Sequence, residues 1–134
     1  MQQARYVRLY ADDLGETHFE DVEVALAAEE FVRGAPPIFV ADSFPAAGSL
    51  WLGVPGDWQG EVPHPTPRRL ILCTVQGEYQ ITAGDGEVRC FPAGSVLLIE
   101  DTRGQGHQTN IPAEKGALIF AVALPEEDDA SLVV

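Results

Sequence analysis

Short apolar segments, each closed by a glycine or a proline, recur along the chain at intervals of about 8 to 12 residues. The 13 glycines and 10 prolines are spread through the sequence and do not gather into a linker. This spacing is too short for most helices but is typical of the strands and turns of an all-β sandwich or barrel. The sequence therefore predicts an all-β fold whose strand edges are hidden by closure into a barrel.

Turn signals divide the second half of the chain clearly. Glycine-containing turns at 77–78, 84–86 and 92–94 separate runs with strand composition. They predict six strands, over residues 70–76, 79–83, 87–91, 96–100, 107–111 and 117–124.

The first half of the chain has weaker signals. Residues 6–10 and 19–26 form a predicted hairpin or meander, although residues 24–31 could instead form one or two helical turns. The proline-rich segment 34–49 is predicted to be extended along the surface, because proline cannot donate to a central ladder. A short strand at 50–54 and a structured loop at 55–67 follow.

A length of 134 residues predicts a single domain over 1–134. Within it we distinguish N-terminal strands and a wrapping loop (1–63), the barrel motifs (64–124) and an acidic tail (125–134). The charge run from Glu126 to Asp129 in this tail is interpreted as solvated.

The charge balance restricts the partners. The chain has 8 Lys plus Arg against 21 Asp plus Glu, a net charge of −13. Such a chain repels phosphate backbones and anionic lipid, so we expect neither a nucleic acid nor a membrane as partner. No apolar run approaches the roughly 20 residues of a membrane span.

The cellular location is predicted from the first residues and the cysteines. The opening residues lack the apolar core of a secretory signal. Cys73 and Cys90 have no metal-binding or redox spacing, so they are interpreted as reduced thiols. These features predict a cytoplasmic protein.

Residues 64–77 contain His64, Thr66 and Leu70 at fixed distances before Gly77. This segment resembles the first motif of the cupin family, whose members are small jelly-roll barrels. The resemblance implies that His64 and Thr66 stand at the two histidine positions of that motif and Leu70 at its glutamate position.

Residues 94–110 resemble the second cupin motif. Gly94 opens it, His107 stands at its histidine position, and Asn110 falls one residue short of its asparagine. The resemblance covers about half of the chain. Within the family, the sequence is similar to a bacterial subgroup that lacks the full set of metal ligands. The resemblance implies a cupin-type jelly-roll barrel with extra N-terminal strands. Because cupins are commonly dimers, it also implies a homodimer that pairs through the apolar strands 70–76 and 117–124.

The resemblance leaves two of four metal ligands, His64 and His107. No cofactor is our first expectation, and a divalent metal (Fe, Mn, Ni or Zn) held by these two histidines is the alternative. A carboxylate such as Glu100 or Asp101 would have to complete that site.

Acid–base chemistry is the metal-free interpretation. Leu70 makes the barrel floor apolar, and His64 or His107 in such a cavity could act as a general base near pH 7. Glu100 or Asp101 could orient the ring of His107 or serve as the partner acid, which requires a carboxyl group kept protonated.

Candidate substrate-binding residues surround this pair. Arg68 and Arg69 could hold an anionic or enolisable small molecule, with Arg103 on the other side, although an ion pair with Glu100, Asp101 or Glu78 is the structural alternative. The remaining candidates are Thr66, Trp58, Tyr79 and Asp101. His18, in a predicted turn, is interpreted as a surface or capping residue.

Three functions remain open at this point. The first is an enzyme that isomerises, cyclises or eliminates a small molecule by acid–base catalysis without a redox cofactor, with His64, His107 and Glu100 as catalytic residues. The second is a metal-dependent cupin, either an oxygenase or a lyase. The third is a non-catalytic barrel that binds a small ligand.

Overall fold

The computed structural model describes residues 3–58, 60, 62–112 and 114–126. These residues form ten strands and no helix, so the all-β prediction is confirmed and the helical alternative at 24–31 is wrong. The strands are β1 (Gln3–Ala11), β2 (Thr17–Ala25), β3 (Ala27–Glu29), β4 (Ile38–Val40), β5 (Gly48–Val54), β6 (Leu70–Thr82), β7 (Val88–Pro92), β8 (Val96–Ile99), β9 (Gln108–Asn110) and β10 (Ala117–Ala123).

Most strands belong to one continuous sheet in the order β2-β1-β8-β6-β10-β5. The N-terminal hairpin β1–β2 joins it through a parallel pairing of β1 with β8. The other pairings along this path are antiparallel. The small ribbon β3–β4 stands apart. Only β4 lies within the segment 34–49 that was predicted to be extended, and β3 lies within residues 24–31, where helical turns were the alternative.

The strand β6 is shared by two layers. Its first half pairs with β8 and β10, and its second half pairs with β7 and β9. The sequence predicted a turn at Gly77-Glu78, but the chain continues as one strand of 13 residues. A register shift opposite Leu118/Ile119 and a positive φ of 72° at Gly77 bend the strand, because a bulge adds twist without ending the pairing.

The core lies between these layers. The bulge moves the buried face of β6 from Leu72 and Thr74 to Tyr79 and Ile81. Side chains from both layers fill the interior, among them Leu9, Phe19, Leu72, Tyr79, Ile81, Phe91, Leu97, Ile99, Ile111 and Ile119. The interior is therefore packed with apolar side chains, and the site residues lie at one end of it.

Three predictions concern the acidic tail, a membrane span and the cysteines. Residues 127–134, most of the predicted acidic tail, lie outside the described residues. No helix in the described part of the chain is long and apolar enough to cross a membrane. The thiols of Cys73 and Cys90 are free, as expected.

Candidate functional site

Two distant loops meet where the sequence placed the two histidines. The backbone N–H of His64 donates to the carbonyl of His107, and the reverse hydrogen bond has the same length of 3.1 Å. This isolated antiparallel bridge holds the two imidazole rings with their centroids 5.5 Å apart. The structure therefore brings His64 and His107 together, as the register of the motifs predicted.

Gly106 makes this close approach possible. Its φ is 78°, a conformation that side-chain-bearing residues rarely adopt. A Cβ at this position would overlap the backbone carbonyl of His64. A residue without a side chain is thus needed next to His107, which is a local reason for the glycine-rich loop that precedes it.

Asp101 and His107 form a buried acid–imidazole pair. Nδ1 of His107 lies 2.6 Å from Oδ2 of Asp101, at hydrogen-bond distance. Asp101 is completely buried and His107 is 4% exposed. An ionised carboxylate can only accept a hydrogen bond, so with Asp101 ionised this contact requires the proton of the neutral ring on Nδ1 and leaves the lone pair on Nε2. Of the two carboxylates that the sequence offered as ring partners, the structure selects Asp101.

His64 is in a different environment. Its side chain is exposed, and its Nδ1 lies 2.9 Å from the carbonyl of Pro65. The histidine pair is therefore asymmetric, with one ring buried and held by a carboxylate and the other facing solvent.

A small cavity of about 200 Å³ lies beside His107. Among the described residues that line it, His107 is the one with an ionisable side chain. The remaining lining residues are Pro63, Thr82, Ala83, Gly84, Gln105, Gly106 and Gln108. The cavity thus offers amide, hydroxyl and backbone groups beside one imidazole.

Thr17 fixes the wall of this cavity. Its hydroxyl donates to the carbonyl of Gly106 over 2.7 Å and accepts from the N–H of Gly84 over 2.6 Å. Thr17 is completely buried at the start of β2. Sequence analysis missed this residue, since nothing in its local pattern shows that it joins two loops from the other half of the chain.

Glu100 is not placed for acid catalysis. Its carboxylate accepts hydrogen bonds from Arg8 and from Nε of Arg69, the latter at 2.9 Å. Burial by itself raises the pKa of Glu100, but the two guanidinium partners outweigh it and lower the pKa below the ordinary value of 4.5. The prediction of Glu100 as a protonated partner acid is wrong, because this carboxyl group is ionised and engaged in an ion pair.

The three arginines expected around the pocket are used elsewhere. Arg68 donates to the carbonyl of Leu124 over 2.6 Å, and Arg69 forms the ion pair with Glu100. Arg103 donates to the carbonyls of Asp12 and Ala11 at the end of β1. None of them lines the cavity at His107, and Arg69 forms the ion pair with Glu100 that was the structural alternative.

The other candidate substrate-binding residues do not line this cavity either. The hydroxyl of Thr66 donates to the carbonyl of Arg68 over 2.7 Å. Tyr79 is stacked on Phe91 with a centroid distance of 5.0 Å, and burial raises the pKa of its phenol. Tyr79 is only 2% exposed, so its phenol does not reach solvent. Trp58 lies in the loop that pairs with Ile111 and is 41% exposed.

The donor set does not fit a metal at His64 and His107. Leu70 has no donor atom, and the carboxylate of Asp101 binds the ring nitrogen of His107 instead of pointing to a shared centre. Two imidazoles alone fall short of the three or four ligands that such sites use. Among the described residues, the group of three or more converging metal-type donors is a different one, formed by Asp12, Glu16 and His18.

Comparison with known proteins gives matches in structure only. No protein-family model and no curated protein matches the sequence. A Cupin 2 conserved barrel domain protein from Salinispora arenicola is 21% identical over 63% of this chain and 70% of its own, with a TM-score of 0.47. The cupin domain of Cnp3 from Schizosaccharomyces pombe is 13% identical over 98% of this chain and 90% of its own, with a TM-score of 0.46.

A third structure, protein NMB1881 from Neisseria meningitidis, is 16% identical over 57% of this chain and 72% of its own, with a TM-score of 0.42. At these identities and TM-scores the three similarities assign neither a family nor an activity to this chain. The all-β architecture is shown by the strands themselves, and the cupin-type jelly roll is the interpretation of the sequence motifs.

Proposed function

We propose that the chain is a small-molecule enzyme that moves a proton with His107 as the general base. The observation that carries this proposal is the buried contact between Asp101 and Nδ1 of His107. A carboxylate on Nδ1 fixes the tautomer and ring orientation and stabilises the imidazolium that forms when Nε2 takes a proton. Asp101 is therefore a positioning residue and His107 the base.

The lining of the cavity supports a particular class of substrate. Apart from His107 the lining residues are uncharged, and the side chains of Thr82, Gln105 and Gln108 can pair with hydroxyl or carbonyl groups. A volume of about 200 Å³ suits a small molecule. We therefore propose an uncharged, polar, enolisable substrate in place of the anion that the arginines suggested.

The site offers one general base, His107, and Glu100 is not available as a partner acid. This restricts the reaction to classes that a single base can start. Isomerisation, cyclisation and elimination each begin with removal of a proton from carbon or oxygen, which His107 can carry out and reverse. A positioned base of this kind contributes about 10²- to 10⁴-fold to the rate. The oxygenase or lyase alternative with a metal on His64 and His107 is less well supported, because the third ligand is missing.

Hydrogen–deuterium exchange tests this proposal before the natural substrate is known. A panel of small uncharged ketones and hydroxyketones is incubated with the protein in D₂O, and loss of the proton next to the carbonyl is followed by NMR. We expect exchange above the buffer rate for at least one compound, and a loss of about 100-fold or more in His107→Asn. His64→Asn keeps most of the rate, because that ring is exposed and lacks a carboxylate.

Two results would contradict the proposal. One is a His107→Asn variant that exchanges at the wild-type rate. The other is an absence of exchange for every compound of the panel, which favours the non-catalytic, ligand-binding interpretation.

A further inference from the structure

A second cluster of polar side chains lies on the far side of Thr17 from the cavity. Asp12 and Glu16 belong to the turn between β1 and β2, and His18 is the second residue of β2. One ligand atom from each of the three lies within 4.8 Å of the other two. Nε2 of His18 is 2.7 Å from Oδ2 of Asp12 and 3.6 Å from Oε1 of Glu16.

The backbone fixes the Asp12 carboxylate in this arrangement. Its Oδ1 accepts the N–H groups of Leu14 and Glu16 over 2.9 and 3.0 Å, which leaves Oδ2 for the cluster. Arg103 donates to the carbonyl of Asp12 and holds the turn from the outside. The carboxylate is therefore presented by an ordered turn, and only one of its oxygens is occupied by the backbone.

Asp85 orients the imidazole from another part of the chain. It belongs to the turn between β6 and β7, and its Oδ2 lies 2.8 Å from Nδ1 of His18. A histidine that binds a metal through one nitrogen usually donates the other N–H to a carboxylate, which fixes the ring and raises the basicity of the ligating nitrogen. In this cluster Nε2 faces Asp12 and Glu16, and it is hydrogen-bonded to Oδ2 of Asp12 at 2.7 Å. A metal ion bound here replaces that hydrogen bond and releases the proton of Nε2 to solvent.

We propose that Asp12, Glu16 and His18 bind a divalent first-row metal ion, with Asp85 as the positioning residue. The imidazole of His18 is a ligand that suits Zn²⁺ and iron, and the carboxylates of Asp12 and Glu16 are ligands that suit Mn²⁺. Three carboxylates around one imidazole also supply the negative charge that a dication requires. The site is separate from the pair Asp101–His107, and the proposal does not depend on the proposed function.

The position of this site gives the ion a structural consequence. Thr17 lies between Glu16 and His18 and holds both Gly84 and Gly106. The backbone carbonyl of Thr17 also accepts the N–H of Asp85 over 3.2 Å. An ion bound here therefore fixes the two loops that form the wall of the His107 cavity.

Titration with MnCl₂ tests the proposal on the whole chain. Calorimetry is expected to give one ion per chain, and paramagnetic broadening of amide NMR signals is expected to centre on residues 12–18 and 84–86. His18→Gln and Glu16→Gln should each weaken binding about tenfold or more, and Asp85→Asn should weaken it by about 10- to 100-fold as a lost outer partner does. ZnCl₂ is used as the second probe.

A matched control lies in the same turn. Asp13 is exposed and is not a member of the cluster, so Asp13→Asn removes the same charge and should leave the affinity within about twofold. The proposal is overturned by three results: no binding by the wild-type chain, equal weakening by Asp13→Asn and His18→Gln, or broadening centred on His64 and His107. Circular dichroism of each variant confirms that the all-β fold is retained.

Discussion

Gly106→Ala tests whether the close approach of two loops holds the candidate site together. The positive φ of 78° costs a side-chain-bearing residue about 1–2 kcal/mol. The added methyl group would also overlap the carbonyl of His64 and force the loops apart. Loss of the two backbone hydrogen bonds of the bridge adds about 0.5–1.5 kcal/mol each. We therefore expect the free energy of unfolding to fall by roughly 2–5 kcal/mol.

Gly86→Ala is the matched control for this substitution. Gly86 also has a positive φ, 92°, but no atom lies within 4 Å of the place where its Cβ would be. Its cost should be limited to the backbone conformation, about 1–2 kcal/mol. Urea denaturation of both variants, compared at an unchanged m-value, measures the difference. Equal losses in the two variants would refute the argument that Gly106 is required by the contact with His64.

Three further predictions concern other parts of the fold. Glu100→Gln should lower the free energy of unfolding by about 1–3 kcal/mol at pH 7, whereas Glu23→Gln, in an exposed pair with Arg5, should cost less than about 1 kcal/mol. Because the pKa of Glu100 is lowered by folding, its contribution is present above the ordinary value of 4.5 and is lost as the pH falls through the folded value. Urea midpoints of wild type and Glu100→Gln should therefore converge at acid pH, and a constant gap between them would contradict the ion-pair account. Thr17→Val should lower the free energy of unfolding by about 1–3 kcal/mol for each buried group that it leaves unpaired. Thr17→Ser keeps the hydroxyl and should lower it clearly less. Equal urea midpoints for the two variants would exclude a role for that hydroxyl. The expected homodimer, which pairs through strands that include β10, should dissociate in Trp51→Lys. Trp51 is 60% exposed on the outer face of β5 and its ring lies beside that of Phe120 in β10. Light scattering that shows a wild-type monomer would contradict the homodimer.

The strands were largely predictable because local signals set them. Glycine turns flank β7, β8 and β10, and these turns located the strands. The buried face of β8 and β10 was not predictable in the same way, because every residue of these two strands is apolar. Gly77 is the informative exception. A glycine followed by a glutamate predicts a turn, but a positive φ is also compatible with a continuous, bent strand. The choice depends on distant partners, because β10 pairs with β6 as far as Gly77 and β7 pairs with it from Glu78 onward.

The candidate site was only partly predictable, because its contacts connect distant segments. The pairing of His64 with His107 followed from the spacing of two motifs. The partners of Glu100 did not, since Arg8 is 92 residues away in sequence and joins through the parallel pairing of β1 with β8. The cluster at His18 was missed, because this residue was interpreted as a surface or capping residue. Its partner Asp85 comes from a turn 67 residues away in sequence.

The tautomer of His107 tests the central claim most directly. Long-range ¹H–¹⁵N NMR correlations distinguish a neutral ring protonated on Nδ1 from one protonated on Nε2, and the experiment requires no substrate. We expect neutral His107 to carry its proton on Nδ1, donated to Asp101, with the lone pair on Nε2. Asp101→Asn should change this preference, whereas Asp13→Asn should not. A neutral His107 protonated on Nε2 in the wild-type chain would contradict its role as an oriented base.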